Sequence, residues 1–314
     1  MAVPTVLTSA SGGAPAISGQ TGKLYDVVKW ALPQLGWSIE FDEGTSKIAI
    51  SNSAVSGTGD VLRFDDDHAN HDGADARTCN VKSYSSMSDI DTGADEVGAA
   101  DWFITKSTVA DSSTRPWVII GDETAFALLI DHGDNGFYSE YYFGDIAPDK
   151  PGDTGAFLTQ SAGVASPIST TTVAPFNDYG LEGLYSELRF NLAVDQVGIN
   201  CKYPEYTVSG NNLAISGPPG RFGSYPEPAS GGMRVQDVSL IEIDNDTCIR
   251  GRLKGALQIL NNVSGQFSNG QTILNQATPR GLADCMVFNR RSRLTNNSDD
   301  GVVMYDISTD WNNW

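Results

Sequence analysis

The chain has 314 residues, with 39 acidic against 20 basic side chains and a formal net charge of −19. That balance argues against a surface built to hold nucleic acid, because affinity for a phosphate backbone comes chiefly from lysine and arginine releasing counterions. A composition 40% apolar and only 19% charged excludes disorder, and 33 glycines with 14 prolines punctuate the chain with turns, as in an all-β fold.

The same acidity keeps an abundant protein soluble. No continuous apolar run reaches the length of about 18 residues that a spanning helix needs. The start, Met1 to Thr5, has no basic region followed by an apolar stretch, so assembly inside a cell is expected. Cys79, Cys201, Cys248 and Cys285 lie far apart without metal-ligand spacing and read as free, mostly buried thiols.

In chain order, residues 1–20 are small, Gly-rich and Pro-containing, and read as an extended arm. Val6, Leu7, Pro15 and Ile17 are its candidate contacts with a neighbouring subunit. Leu24, Val27, Val28, Ala31 and Leu32 then recur at helical spacing and form one apolar stripe. Thr21 is the expected N-cap, and Pro33 with Gly36 ends the helix.

Short strands follow. Trp37–Phe41 and Lys47–Ile50 flank a turn at 43–45, Val61–Phe64 enters an acidic loop, and Cys79–Tyr84 leaves it. Trp117–Ile120 and Phe126–Ile130 are nearly continuous apolar runs around Gly121-Asp122-Glu123. They predict a central hairpin covered on both faces. An aromatic strand, Phe137–Phe143, comes next.

Residues 147–180 are rich in Pro, Gly, Ser and Thr and read as a linker or long excursion. Phe157, Val164 and Phe176 are its candidate subunit contacts. The expected architecture is therefore mainly β: two antiparallel β-sandwich or barrel-like domains, 21–146 and 181–314, with one N-terminal amphipathic helix and long loops.

A search for chemistry yields little. The chain has three histidines and no G-x-S-x-G elbow, so a nucleophile with its base is not visible. In the acidic stretch 65–75, Asp65, Asp67, Asp72 and Asp75 are weak cation candidates, but the spacing lacks the closing glutamate of an EF-hand. A solvated acidic loop is the plainer reading. Trp102 and Tyr141 are candidate glycan-stacking residues, although strand aromatics more often fill cores. The expectation is a protein that is not an enzyme and needs no cofactor.

Several stretches resemble a family of virion proteins from tailed phages of Gram-negative bacteria. They include Leu7-Thr8-Ser9, Ala14-Pro15, Ile17-Ser18-Gly19 and Gly22-Lys23-Leu24 near the start. Leu62-Arg63-Phe64-Asp65-Asp66, Met87 to Gly93, Lys106-Ser107 and Arg115-Pro116-Trp117 continue the likeness. In the second half, Arg250-Gly251-Arg252-Leu253-Lys254-Gly255 is similar to that family's Arg-Gly-Arg-Leu-Pro-Gly element, with Lys254 in place of Pro. Met304-Tyr305-Asp306-Ile307 followed by Trp311 looks like its C-terminal strand. The resemblance implies a structural role in the virion, assembled in the bacterial cytoplasm, with other virion proteins and copies of itself as partners. Nucleic acid and membrane are not expected partners. Together with the acidic surface, this points to a capsid-surface decoration protein acting as an oligomer. The alternative is a tail or baseplate protein that grips host polysaccharide.

Overall fold

The computed structural model describes residues 3–67, 76–96, 103–107, 109–131, 138–149, 157–160, 185–189, 197–200, 212–216, 235–242, 248–259, 267–290 and 301–314. Among the described residues the protein is mainly β, with one short α-helix. Strand β1 (Thr5–Thr8) precedes α1 (Lys23–Ala31), and then come β2 (Ser38–Asp42), β3 (Lys47–Ser51), β4 (Val61–Asp65) and β5 (Thr78–Tyr84). A small ribbon, β6 (Ser86–Asp89) and β7 (Thr92–Ala94), leads to β8 (Phe103–Thr105). β9 (Trp117–Gly121), β10 (Ala125–Ile130), β11 (Ser139–Pro148) and β12 (Phe157–Gln160) follow. The second half carries β13 (Tyr185–Arg189), β14 (Val197–Asn200), β15 (Asn212–Ser216), β16 (Val235–Glu242) and β17 (Cys248–Ile259). It ends with β18 (Gln271–Thr278), β19 (Gly281–Arg290) and β20 (Gly301–Asp306).

Two main sheets result. One has five strands in the order β2-β3-β4-β5-β8. The other has 13, in the order β1-β9-β10-β11-β12-β13-β14-β15-β16-β17-β20-β19-β18, and β11 pairs again with β17, so the run β11 to β17 closes on itself.

The β9–β10 hairpin explains the layering. Every residue of both strands is buried, so alternate side chains feed two different cores. Trp117, Ile119, Phe126, Leu128 and Ile130 face the helix and the five-stranded sheet. Val118, Ile120, Ala127 and Leu129 face Leu253, Ala256, Phe288, Tyr305 and Trp311 of the second half. Each such apolar side chain contributes about 1.5–3 kcal/mol when fully buried, which is why this hairpin anchors both sides. A third core, around Leu257, Cys285, Val287, Val302 and Met304, belongs to the second half alone. The central hairpin thus follows the sequence reading.

Three expectations need correction. The helix is not capped by Thr21: Gly22 occupies the N-cap at φ +79, and the capping oxygen comes from Asp66, 42 residues beyond Leu24. Residues 5–8 are not a departing arm, since β1 pairs with β9 from Thr5↔Gly121 to Thr8↔Val118. Ile17 likewise forms a bridge with Arg115, and Leu7 and Ile17 lie in the chain's own core. The expected linker contains a sheet strand: Phe157 and Leu158 of β12 pair with Asp145 and Gly144 of β11, and Phe157 is fully buried. Alternating apolar side chains had enough room in these short stretches to reach a core that the local composition did not reveal.

Candidate functional site

Two buried polar junctions hold the described fold together, and both are assembled from strand ends. At the end of β4 the chain places consecutive carboxylates in different environments. Asp65 lies on the same side as Arg63, 3.0 Å from its guanidinium, with Lys47 at 4.0 Å. Asp66 turns under the start of α1, where its Oδ2 accepts from the backbone N–H of Leu24 at 2.8 Å and of Tyr25 at 3.2 Å. Such N–H groups lack partners within the helix, and the positive end of the helix dipole favours an anion there.

The other oxygen of Asp66 pairs with the Lys106 ammonium, and neither side chain is exposed. Lys106 Nζ also donates to the Gln20 carbonyl at 2.7 Å. One residue on, Ser107 Oγ accepts from Arg115 Nε at 2.9 Å, while the Arg115 backbone N–H donates to Ile17 O. Trp117 Nε1 closes the set on Pro15 O at 2.9 Å. Residues 15–25 are therefore clamped from three directions. Burial pushes the Asp66 carboxyl up to about 6, against the opposing pull of Lys106. Burial, with Asp66 nearby, also lifts the Cys79 thiol well above its usual range.

The second junction lies between the β9–β10 turn, β11 and β17. Asp145 accepts from Asn52 Nδ2 at 2.7 Å and from Thr58 through both Oγ1 (2.9 Å) and N–H (3.1 Å). Asp122 Oδ1 accepts from Thr124 N–H, Thr124 Oγ1 and Ala125 N–H, which shapes the hairpin turn. Lys254 reaches in from β17, donating through Nζ to Thr124 Oγ1 at 2.9 Å and through its N–H to the Tyr142 hydroxyl at 3.0 Å. The Tyr142 hydroxyl in turn donates to the Asp145 carbonyl at 3.0 Å. Burial raises Asp145 to about 6, with the Lys254 charge and the Thr58 and Asn52 hydrogen bonds pulling the other way.

Next along β17, Gly255 sits at φ +73, and a Cβ there would meet the Trp311 ring at 2.0 Å. Only glycine permits that approach. Trp311 Nε1 in turn donates to Asp306 O, so the C-terminal segment is seated on β17. A further buried contact, from the Tyr305 hydroxyl to Glu140, joins β20 to β11.

These carboxylates and amines have the ingredients of acid–base chemistry, but they face one another and the backbone. Both oxygens of Asp66 and of Asp145 already accept hydrogen bonds inside the fold. Among the described residues no group of three or more His, Cys, Asp or Glu side chains could hold a metal ion. Of the cation candidates, Asp65 is engaged by Arg63, Asp67 is exposed, and Asp72 and Asp75 lie outside the described residues.

The other candidate residues separate in the same way. Tyr141 is buried and its hydroxyl accepts from Thr105 N–H, so it cannot stack on a sugar. Trp102, Val164 and Phe176 lie outside the described residues. Val6 and Pro15 are half-buried against their own chain, Val6 beside the second core and Pro15 through its carbonyl to Trp117. Of the four cysteines, Cys79 and Cys285 are free and buried.

Sequence reasoning missed Asp66, Lys106, Asp145 and Lys254 as a linked set. A usable signal existed: Asp145 interrupts the apolar run Tyr142-Phe143-Gly144-Asp145-Ile146-Ala147, and a charge within a buried strand needs a partner. Compared with known proteins, the chain matches no family model and no curated protein.

Proposed function

We propose that this chain is a structural, non-enzymatic component of a tailed-phage particle, a capsid-surface decoration protein that works as an oligomer. The observation that supports this best is where the phage-like motifs fall. Pro15, Ile17, Leu24, Asp66, Lys106, Ser107, Arg115 and Trp117 meet in one junction. Lys254, Gly255, Tyr305, Asp306 and Trp311 gather around the second half's attachment to the first. Motif residues used to fasten a chain's own segments suit a protein whose task is to hold a shape under load. Residues kept for chemistry would instead converge on an accessible cleft.

The −19 charge agrees with a place facing the medium rather than packaged DNA. The polysaccharide-gripping alternative loses Tyr141, which is committed to the core. Cryo-EM of purified particles, with the chain located and its copies counted, tests the proposal. Density of this fold repeated over the capsid lattice is the expected result. Its absence from the particle overturns the structural role, and density confined to the tail overturns the decoration role.

A further inference from the structure

We propose that the Asp66 and Lys106 side chains condense within the folded chain, joining Asp66 Cγ to Lys106 Nζ as an isopeptide with release of one water. The ion pair is the reactant state, with the amine in direct contact with the carboxyl and both side chains closed off from solvent. The inference stands on this geometry and goes beyond the structural role, since it does not need the chain to belong to a particle. The reaction occurs once per chain and needs no cleft, because both partners belong to the chain itself.

Water normally opposes such a step, because it stabilises a separate ammonium and carboxylate more than the neutral amide. Burial reverses the balance. Both charges carry a desolvation cost here, and condensation removes both at once. The pairs Lys23–Asp26 and Lys29–Asp42 are open to solvent and remain ionic. Lys254 is also buried, but its amine meets the Thr124 hydroxyl rather than a carboxyl.

The fold supplies the other requirements. The Gln20 carbonyl accepts from Lys106 Nζ at 2.7 Å and keeps the amine from swinging away. Asp66 Oδ2 accepts from the N–H groups of Leu24 at 2.8 Å and Tyr25 at 3.2 Å. These donors lie at the positive end of α1, so they stabilise the negative charge that gathers on Oδ2 as the nitrogen attacks Cγ. Holding amine and carboxyl in contact turns a bimolecular encounter into an intramolecular step.

The atoms balance without a further reactant. One proton passes from the ammonium to Oδ1, which frees the nitrogen lone pair for attack. Burial, which pushes the Asp66 carboxyl up to about 6, favours that transfer. When the tetrahedral intermediate collapses, the Cγ–Oδ1 bond breaks. A second proton from the nitrogen leaves with that oxygen as water. The new bond closes a loop between residues 40 apart, from the end of β4 to the residue after β8, and fixes the capped start of α1.

Mass spectrometry of the denatured full chain, after the folded protein has stood at neutral pH to constant mass, tests this. The expected mass is one water below that of the sequence, with a tryptic peptide in which Phe64–Arg77 is branched onto Lys106. The closed loop should also make the boiled chain run faster in a denaturing gel. Lys106→Arg keeps a cation against Asp66 but cannot form this amide, so it should show the full mass and the slower migration. A native chain at its full mass overturns the proposal without recourse to any variant. So does a deficit that persists in Lys106→Arg, which would place the lost water elsewhere, as in a succinimide at Asp72-Gly73.

Discussion

The two buried junctions use similar residues and hold the fold differently. Around Asp66 an ammonium meets a carboxylate directly, with both side chains sealed from water. Around Asp145 neutral groups stand between the charges: Asn52 and Thr58 bond the carboxylate, and Thr124 bonds Lys254. The first junction ties the N-terminal segment and α1 to the five-stranded sheet, while the second ties β17 to the central hairpin. Direct pairing makes a junction that fails badly when one partner is lost, because an uncompensated charge remains in the interior. A network of neutral donors degrades more gradually.

The largest effect should come from the sealed pair. Lys106→Met is expected to cost about 3–5 kcal/mol in denaturant unfolding, with α1 losing its anchor. An outcome below that range would mean that water reaches Asp66 once the ammonium is gone, and the contrast between the junctions would shrink. Gly255→Ala sharpens the picture of the second junction. The added Cβ collides with Trp311 at a positive φ, and the expected cost is about 1–3 kcal/mol, with a shift in tryptophan fluorescence as the indole leaves its seat.

The fold class was legible in the sequence because alternation and turns are local signals. The β9–β10 hairpin could be read from two continuous apolar runs around Gly121-Asp122-Glu123, and both strands are buried on both faces. The helix was legible for the same reason, since its apolar stripe is a local period. Its cap was not, because Asp66 is brought to Leu24 by sheet pairing rather than by proximity in the chain. Leu7, Ile17 and Phe157 misled in the same direction. Each sits among Gly, Ser and Pro, which mark loops, yet each reaches a core through a long-range pairing that no local pattern records. Of the junction residues, Asp66 and Lys106 lay within stretches already singled out, but their contact is a tertiary fact.

The smallest expected effect concerns pH. Burial holds the folded Asp145 carboxyl's proton up to about 6, whereas an ordinary aspartate releases it near 3.8. Between those values the folded chain binds more protons than the unfolded one, so this site's contribution to stability falls as pH rises through the window. The stability of the native sequence relative to Asp145→Asn should decline by about 1–2 kcal/mol between pH about 4 and about 7. A flat difference would show that Asn52, Thr58 and Lys254 offset the cost of burial.

The buried charges fasten the chain to itself, and a pair of double-mutant cycles in denaturant tests that most directly. One cycle combines Asp66→Asn with Lys106→Met, the other Asp145→Asn with Lys254→Met. The account predicts that every single substitution destabilises, with a coupling of about 2 kcal/mol or more for the first pair and below about 1 kcal/mol for the second. Single substitutions that leave stability unchanged or raise it, as happens when polar groups are held for activity at the expense of the fold, would contradict it.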